Sequence, residues 1–445
     1  MVGTLFSTAL LLNGAVAFPH IAEMVAKQKR QVPEGAIPFP EWPGTPNHAT
    51  FSGFDAEQQL VSVSGEHEFR PPGPGDVRGP CAGLNSAANH GYIPRDGIAT
   101  PEAINTGLWE AFSLDGTATL FLNTATSFFN GDPFSGRWSI GPHSPKTNSL
   151  GAIGNLLGNQ TGICAYGHLR SEGDASITRG DWLAPEMASN CISYPTFLQE
   201  LFDVADEMGG GLITPRVLAQ HSSNRKKYSV ANNPNYFSPP YAGVAFTFGA
   251  HMFAFQLLAN HSAEEPRGFL TKEVFMEHFG YDRDDQGNLR YTFGHERIPE
   301  NWYKRSEQDP WTLSDIVVST AQQCATYPGN CQVGGNTGTV NSFKGVDLGD
   351  LSGGFINSVE DFQDPNQLGC FIAQSIKADT PSALSNVFEG ALLSQALDLI
   401  DSKLAPALLG LGNCPNVPEG KGLNEVDAPF PGASGASEGP RGPLR

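Results

Sequence analysis

The chain carries seven cysteines, an odd number, behind an N-terminal apolar run from Thr4 to Ala17 that ends in the small residues Ala15-Val16-Ala17. That run has the length and exit of a signal peptide rather than of a membrane span, so residues 1–17 are expected to be removed on secretion. Lys27-Gln28-Lys29-Arg30 follows as a dibasic site suited to trimming a pro-segment over 18–30. In an oxidising compartment cysteines are consumed in pairs, and seven leave one over. Cys324 and Cys331 bracket a short Pro/Gly loop, Cys370 and Cys414 flank the last helical region, and Cys164 with Cys191 would make the third pair. Cys81 is then unpaired. Spacing alone leaves the alternative open, in which Cys81 is half of a disulfide and another cysteine is free.

With 46 acidic against 27 basic residues the net charge is -19, which argues against nucleic acid or an anionic membrane as partner. Asn159-Gln160-Thr161 and Asn260-His261-Ser262 are glycosylation acceptors that secretion would make usable. At 445 residues the chain can bury a large core without a metal staple. Residues 31–75 are rich in Pro and Gly and read as an arm over the surface; residues 416–445 read as a tail; 76–415 read as one domain. Its stronger periodic segments are helical. Thr100-Pro101 caps one helix, Phe197 to Met208 marks another, and Thr214-Pro215 opens a third. Phe248 to Asn260, Thr271 to Phe279 and a region from Pro381 to Leu411, interrupted at Pro406, complete the set. Strand patterns are few and short, so the fold class is mainly α.

Cys81 stands in Arg78-Gly79-Pro80-Cys81-Ala82-Gly83-Leu84-Asn85-Ser86-Ala87-Ala88-Asn89-His90-Gly91-Tyr92-Ile93-Pro94-Arg95, where proline precedes an Ala-rich run closed by Gly91. A cysteine at the start of that helix faces free N–H groups and the positive dipole end, which favour the iron-binding thiolate. The segment closely resembles the signature of the fungal heme-thiolate peroxidases, the family of chloroperoxidase and the unspecific peroxygenases, although Ala82 replaces the family's second proline. Ser171-Glu172-Gly173-Asp174-Ala175-Ser176 resembles the family's second block, with glycine after the glutamate as in its long branch. The likeness runs over roughly 75–415.

The resemblance implies a single helical domain with few strands that binds heme b through Cys81. It also implies Mg²⁺ on Glu172, Gly173, Asp174 and Ser176, with hydrogen peroxide and a small organic substrate as reactants. One part of the pattern is missing. The long branch carries a distal glutamate, held by an arginine seven residues earlier, where this chain aligns Ala250 and Ala242 or Gly243. His251 is the nearest residue able to shuttle a proton. Phe246, Phe248, Phe253 and Phe255 are candidates for a substrate channel, although with 28 phenylalanines most are expected to be core. His90 reads as structural. Asp282 to Gly287 imitates an EF-hand start but has Phe293 where glutamate is needed. The leading expectation is a secreted peroxidase or peroxygenase acting on an apolar or aromatic compound, in secondary metabolism. The alternatives are a heme-thiolate protein with weak or non-peroxidative activity, and a heme-free structural protein. Sequence leaves the oligomeric state open.

Overall fold

A computed structural model describes residues 53–132, 135–148, 161–384, 414 and 430–433. The fold is mainly α, as expected. Its labelled helices are α1 (Ala82–Asn89), α2 (Pro101–Phe112), α3 (Gly116–Asn130), α4 (Tyr166–Ser171), α5 (Pro195–Met208), α6 (Pro215–Asn232), α7 (Phe248–Leu258), α8 (Lys272–His278), α9 (Leu313–Thr326) and α10 (Pro365–Leu384). Strands are two or three residues long and antiparallel: β1 (Ile98–Ala99) with β2 (Trp138–Ser139), β4 (Tyr281–Arg283) with β5 (Leu289–Tyr291), and β6 (Gly334–Gly335) between β3 (Phe237–Ser238) and β7 (Lys344–Gly345).

Capping and N-terminal prolines explain several helix starts. Thr100 Oγ1 accepts from the Ala103 N–H, Thr214 Oγ1 from Val217, and Thr271 Oγ1 from Val274, while prolines occupy the first turn of α2, α5 and α6. Two expectations need revision. The last helix starts at Pro365, held by the Leu368 N–H donating to Asp364 O, and runs through Pro381; residues 385–413 lie outside the described residues. The fourth helix begins earlier than Phe248, because Pro240–Ala242 and a π-helical turn, Gly243–Thr247, lead into α7 without a break. By length and hydropathy Pro240–Leu258 could cross a membrane, yet 76 % of it is buried, as in a core helix.

Two hydrophobic clusters organise the interior. One gathers α1, α2, α5, α6, α7 and α8 around Phe112, Leu201, Phe255, Phe275 and Trp302; the other packs α3 against α9 and α10 through Phe121, Val317, Phe362 and Phe371. α7 packs into the first through Met252, Ala254, Phe255 and Leu258, while the segment before it enters the second through Tyr241, Val244 and Ala245. The segment before Gly75 is anchored: Gln59 is buried, with its Nε2 donating to Lys304 O, and the Val61 N–H donates to Trp302 O. Of the two glycosylation acceptors, Asn159 lies outside the described residues. Asn260 corrects the expectation, being 3 % exposed with its Oδ1 accepting from the Tyr303 N–H, so its side chain has no room for a glycan.

Candidate active site

The six other cysteines are bonded as Cys164–Cys191, Cys324–Cys331 and Cys370–Cys414, and Cys81 is free. It occupies the N-cap of α1, with the Gly83 and Leu84 N–H groups turned to its sulfur. The loop before it is held from several directions. Asn85 brackets Gly79, its Oδ1 accepting from the Gly79 N–H at 3.0 Å and its Nδ2 donating to Gly79 O at 2.8 Å. A Cβ at Gly79 would collide with the Ile140 carbonyl, so only glycine permits this approach. Arg179 donates through Nε to Pro80 O at 2.9 Å and is itself fixed by Tyr291 Oη at 2.9 Å and Glu296 Oε1 at 3.3 Å. His90 has the structural place expected of it, its Nε2 accepting from the Ile298 N–H.

The thiol differs from the sequence expectation. Burial pushes the Cys81 thiol up, and although the Leu84 and Gly83 N–H groups and Arg179 oppose this, the net direction is upward. Burial thus opposes the thiolate that the helix terminus favours, and a cation bound to the sulfur would favour it.

Cys81 lies on the wall of a predominantly apolar cavity enclosing about 1200 Å³ of atom-free space including its mouth. Residues 80–84 form one side; Phe246, Ala250, Phe253, Ala254 and Leu257 face it from the π turn and α7; Leu108, Phe112 and Phe121 close it from α2 and α3. Its polar lining includes His168, Glu172, Ser176, Thr178 and Arg179. Among these, both ring nitrogens of His168, Glu172 Oε1 and Thr178 Oγ1 are buried without a hydrogen-bond partner. A free sulfur, apolar walls and a few unsatisfied polar atoms fit the large, flat, mostly apolar heme that the resemblance implies.

Of the expected channel phenylalanines, Phe246 and Phe253 line this cavity. Phe255 does not, being 3 % exposed within the core, and the side chain of Phe248 lies outside the described residues. Phe112, Phe121 and Phe279 line it as well, from segments that no local pattern links to Cys81. His251 likewise is not among the residues lining the cavity. It turns with Phe255, four residues on, to the other side of α7, where Nδ1 lies 3.0 Å from Thr247 O and the ring packs 5.8 Å from His221. It is fully buried, and burial lowers its pKa to about 4. The cavity-facing positions are instead Ala250, Phe253, Ala254 and Leu257, so where the family places its acid this wall presents a methyl group. The arginine is excluded sterically at Gly243, where a Cβ would strike the Ser238 side chain.

The four residues expected to hold a cation in the second sequence block have different surroundings. Asp174 is 1 % exposed, with Oδ1 accepting from the Trp182 N–H at 2.7 Å and Oδ2 from the Phe237 N–H at 3.1 Å. Burial and nearby Asp181 push its carboxyl well above the usual range. Its role is to pin the turn. Gly173 has φ +99°, which lets the backbone fold against Pro239 and Thr247, and Thr247 Oγ1 donates to Glu172 O. That turn swings the Glu172 side chain back onto α4, where Oε2 lies 2.8 Å from His168 Nε2. Burial raises the Glu172 carboxyl, but the adjacent His168 and the Ser176 hydroxyl prevail and hold it below its ordinary value. Glu172 and Ser176 reach the cavity, and no cluster of three or more His, Cys, Asp or Glu suited to a metal occurs among the described residues. Of the four expected magnesium ligands, Asp174 is thus taken up by backbone N–H groups, while Glu172 and Ser176 reach the cavity, and no step below uses the ion. The His168–Glu172 pair was missed in the sequence, although the i,i+4 spacing on a short helix was its available signal.

Comparison with known proteins agrees with this geometry. Residues 67–307 match the model of the family described as peroxidase, family 2. The chain is 33 % identical over 412 residues to the dothistromin biosynthesis peroxidase of Dothistroma septosporum, covering 92 % of each. It is 32 % identical over 391 residues to an aromatic peroxidase of Fusarium equiseti, covering 85 % of this chain and 86 % of that one. An aromatic peroxygenase of Cyclocybe aegerita is 28 % identical over 353 residues, 76 % and 82 % of the respective lengths.

Proposed function

The chain belongs to peroxidase family 2, an enzyme family of oxidoreductases that act with peroxide and whose membership implies heme, and on that premise we propose that Cys81 is the axial ligand to the heme iron. The substrates are small apolar or aromatic molecules that the enzyme oxidises or oxygenates. The observation that carries this reading is the free Cys81 sulfur on the wall of an apolar cavity, every other cysteine being bonded. When bound, heme ligated by thiolate supplies the redox chemistry that favours O–O cleavage.

The chain's own contribution follows from position. Asn85 and Arg179 hold the Gly79-Pro80-Cys81 loop rigid, so the sulfur need not be ordered when it takes up its ligand. Phe246 and Phe253 with Leu257 form a wall that excludes water and accepts flat apolar compounds. The signal-like segment Thr4–Ala17 and three disulfides support secretion, where Asn159 would be the glycan acceptor. The relative named for dothistromin biosynthesis supports a place in secondary metabolism.

A second reading, a heme-thiolate protein with weak peroxide activity, is favoured by the methyl of Ala250 at the place of the family's acid. The experiment is the spectrum of the reduced protein under carbon monoxide, wild type against Cys81→Ser, followed by peroxide turnover. A Soret band near about 450 nm lost in the variant, with turnover on an aromatic substrate, is the expected result. A band near about 420 nm untouched by the substitution would refute ligation by Cys81, and a 450 nm band without turnover would favour the second reading.

A further inference from the structure

Within the tail expected over residues 416–445, Phe430 to Ala433 is seated on the domain. Phe430 is 4 % exposed in a socket made of the buried Leu169, Trp182 and Phe237, its ring centroid 5.4 Å from that of Phe237. Ala433 packs against the same socket, and its N–H donates to Phe430 O at 3.0 Å, which closes the segment into a single turn. Gly432 is buried, and a Cβ there would collide with Asn235 O and Phe237 Cβ, so the backbone itself is pressed against the start of β3. Ordering a stretch of chain costs conformational entropy, which the buried aromatic ring and the close approach at glycine offset.

We propose that this segment is a docking strap that positions the turn carrying Glu172 and Ser176. The socket and that turn share their residues. Trp182 and Phe237 supply the N–H groups that hold the two carboxyl oxygens of Asp174, at 2.7 and 3.1 Å, and the Asp174 N–H donates back to Phe237 O at 3.4 Å. Leu169 lies on α4, one residue after His168, whose carbonyl accepts from the Glu172 and Gly173 N–H groups at 2.7 and 3.0 Å. Phe430 therefore covers the residues that hold both ends of the Glu172–Asp174 turn, and Glu172 and Ser176 reach the cavity from it. Hydrogen bonds kept from water are stronger, and without the strap water would compete for the Trp182 and Phe237 N–H groups. Beyond the Cys370–Cys414 disulfide the strap is joined to the domain by residues 415–429, so cleavage within that stretch would leave it held by the socket alone.

The exchange test needs no cofactor. Amide hydrogen exchange in the full-length chain reads the Trp182 and Phe237 N–H groups directly. In Phe430→Ala both are expected to exchange about 10-fold or more faster, with the amides of α9 unchanged. Gly432→Val, which keeps Phe430 and the socket, should give the same result by collision, and Phe430→Leu should keep most of the protection. A peptide of residues 426–436 added to Phe430→Ala is expected to restore it. In heme-loaded enzyme, peroxide turnover should fall about threefold or more in Phe430→Ala and Gly432→Val and recover with the peptide. Turnover alone depends on Cys81 being the heme ligand; failure of that reading shows in the carbon monoxide spectrum and leaves the exchange result standing.

Protection at Trp182 and Phe237 unchanged in both Phe430→Ala and Gly432→Val overturns the proposal, as does an equal loss over the whole chain, which marks general destabilisation. Lost protection with wild-type turnover in spectrally intact enzyme removes the positioning role. A wild-type dimer that either variant converts to monomer would place the segment on a second copy and overturn the intramolecular contact.

Discussion

Arg179→Met should destabilise the fold by about 4 kcal/mol, and the figure can be built from the structure. The guanidinium is 1 % exposed and its partner Glu296 is 0 % exposed. Removing one member of a buried ion pair leaves an uncompensated charge, at about 3–5 kcal/mol. The lost bond from Nε to Pro80 O adds about 1 kcal/mol. Relief comes from Glu296 itself, whose carboxyl burial already pushes upward, so that it takes up a proton once the cation is gone. That places the sum near the middle of the range. The same relief gives a pH signature with a definite sign. In the variant the folded state binds a proton that the unfolded state lacks at pH 7, so the deficit shrinks by about 1.4 kcal/mol per unit as pH falls toward 5. The assay is urea unfolding followed by tryptophan fluorescence, for Arg179→Met and for Arg179→Met with Glu296→Leu. Removing both charges should recover more than half of the loss, because no orphaned charge remains. A single variant within 1 kcal/mol of wild type, or a double variant no better than the single, would refute the argument that this pair is what clamps the Pro80-Cys81 loop.

Other expectations follow from the same coordinates. His251, His261 and His278 are buried with pKa values lowered by burial to about 4, about 4 and about 3. The unfolded chain binds their protons first as pH drops below about 6.5, so each should cost about 1.4 kcal/mol per pH unit from there toward pH 4; a stability flat from pH 7 to 5 would contradict this. Replacing Cys164 and Cys191 by serine opens a loop with separation 27 and should cost about 3.5 kcal/mol, measured by thermal unfolding against wild type in the same buffer. Phe253→Ala removes an aromatic from the cavity wall and should move preference toward bulkier aromatic substrates, read as the ratio of kcat/KM for a two-ring and a one-ring compound. His251→Gln should leave peroxide turnover within threefold, since the residue faces away from the cavity.

Much of the site was legible because it is local. The start of α1 at Cys81 follows from a proline and a short Ala-rich run, and the helix begins one residue later, at Ala82. The cavity-facing Phe246 and Phe253 lie on one continuous helical segment, where periodicity is informative, yet periodicity could not say which side of α7 meets the cavity and which meets the core. Both sides are apolar because the cavity-lining Phe253 and Leu257 and the core residues Met252 and Phe255 pack into the same hydrophobic cluster. That symmetry is why His251 and Phe255 looked like candidates and Ala250 did not look like a wall.

The sequence by itself determined the helical class, the capped starts of α2, α6 and α8, and the cysteine at the head of α1, since each depends on neighbours a few residues apart. Only the tertiary structure decided the charge and company of those residues. Arg179 reaches Pro80 across 99 positions and Glu296 across 117, Asp174 is taken by Phe237 across 63, and the Cys81 thiol is pushed up by burial that no local window contains. Dihedral preferences and caps are set within a turn of helix, whereas desolvation and hydrogen-bond partners depend on which distant segments exclude water from the same volume.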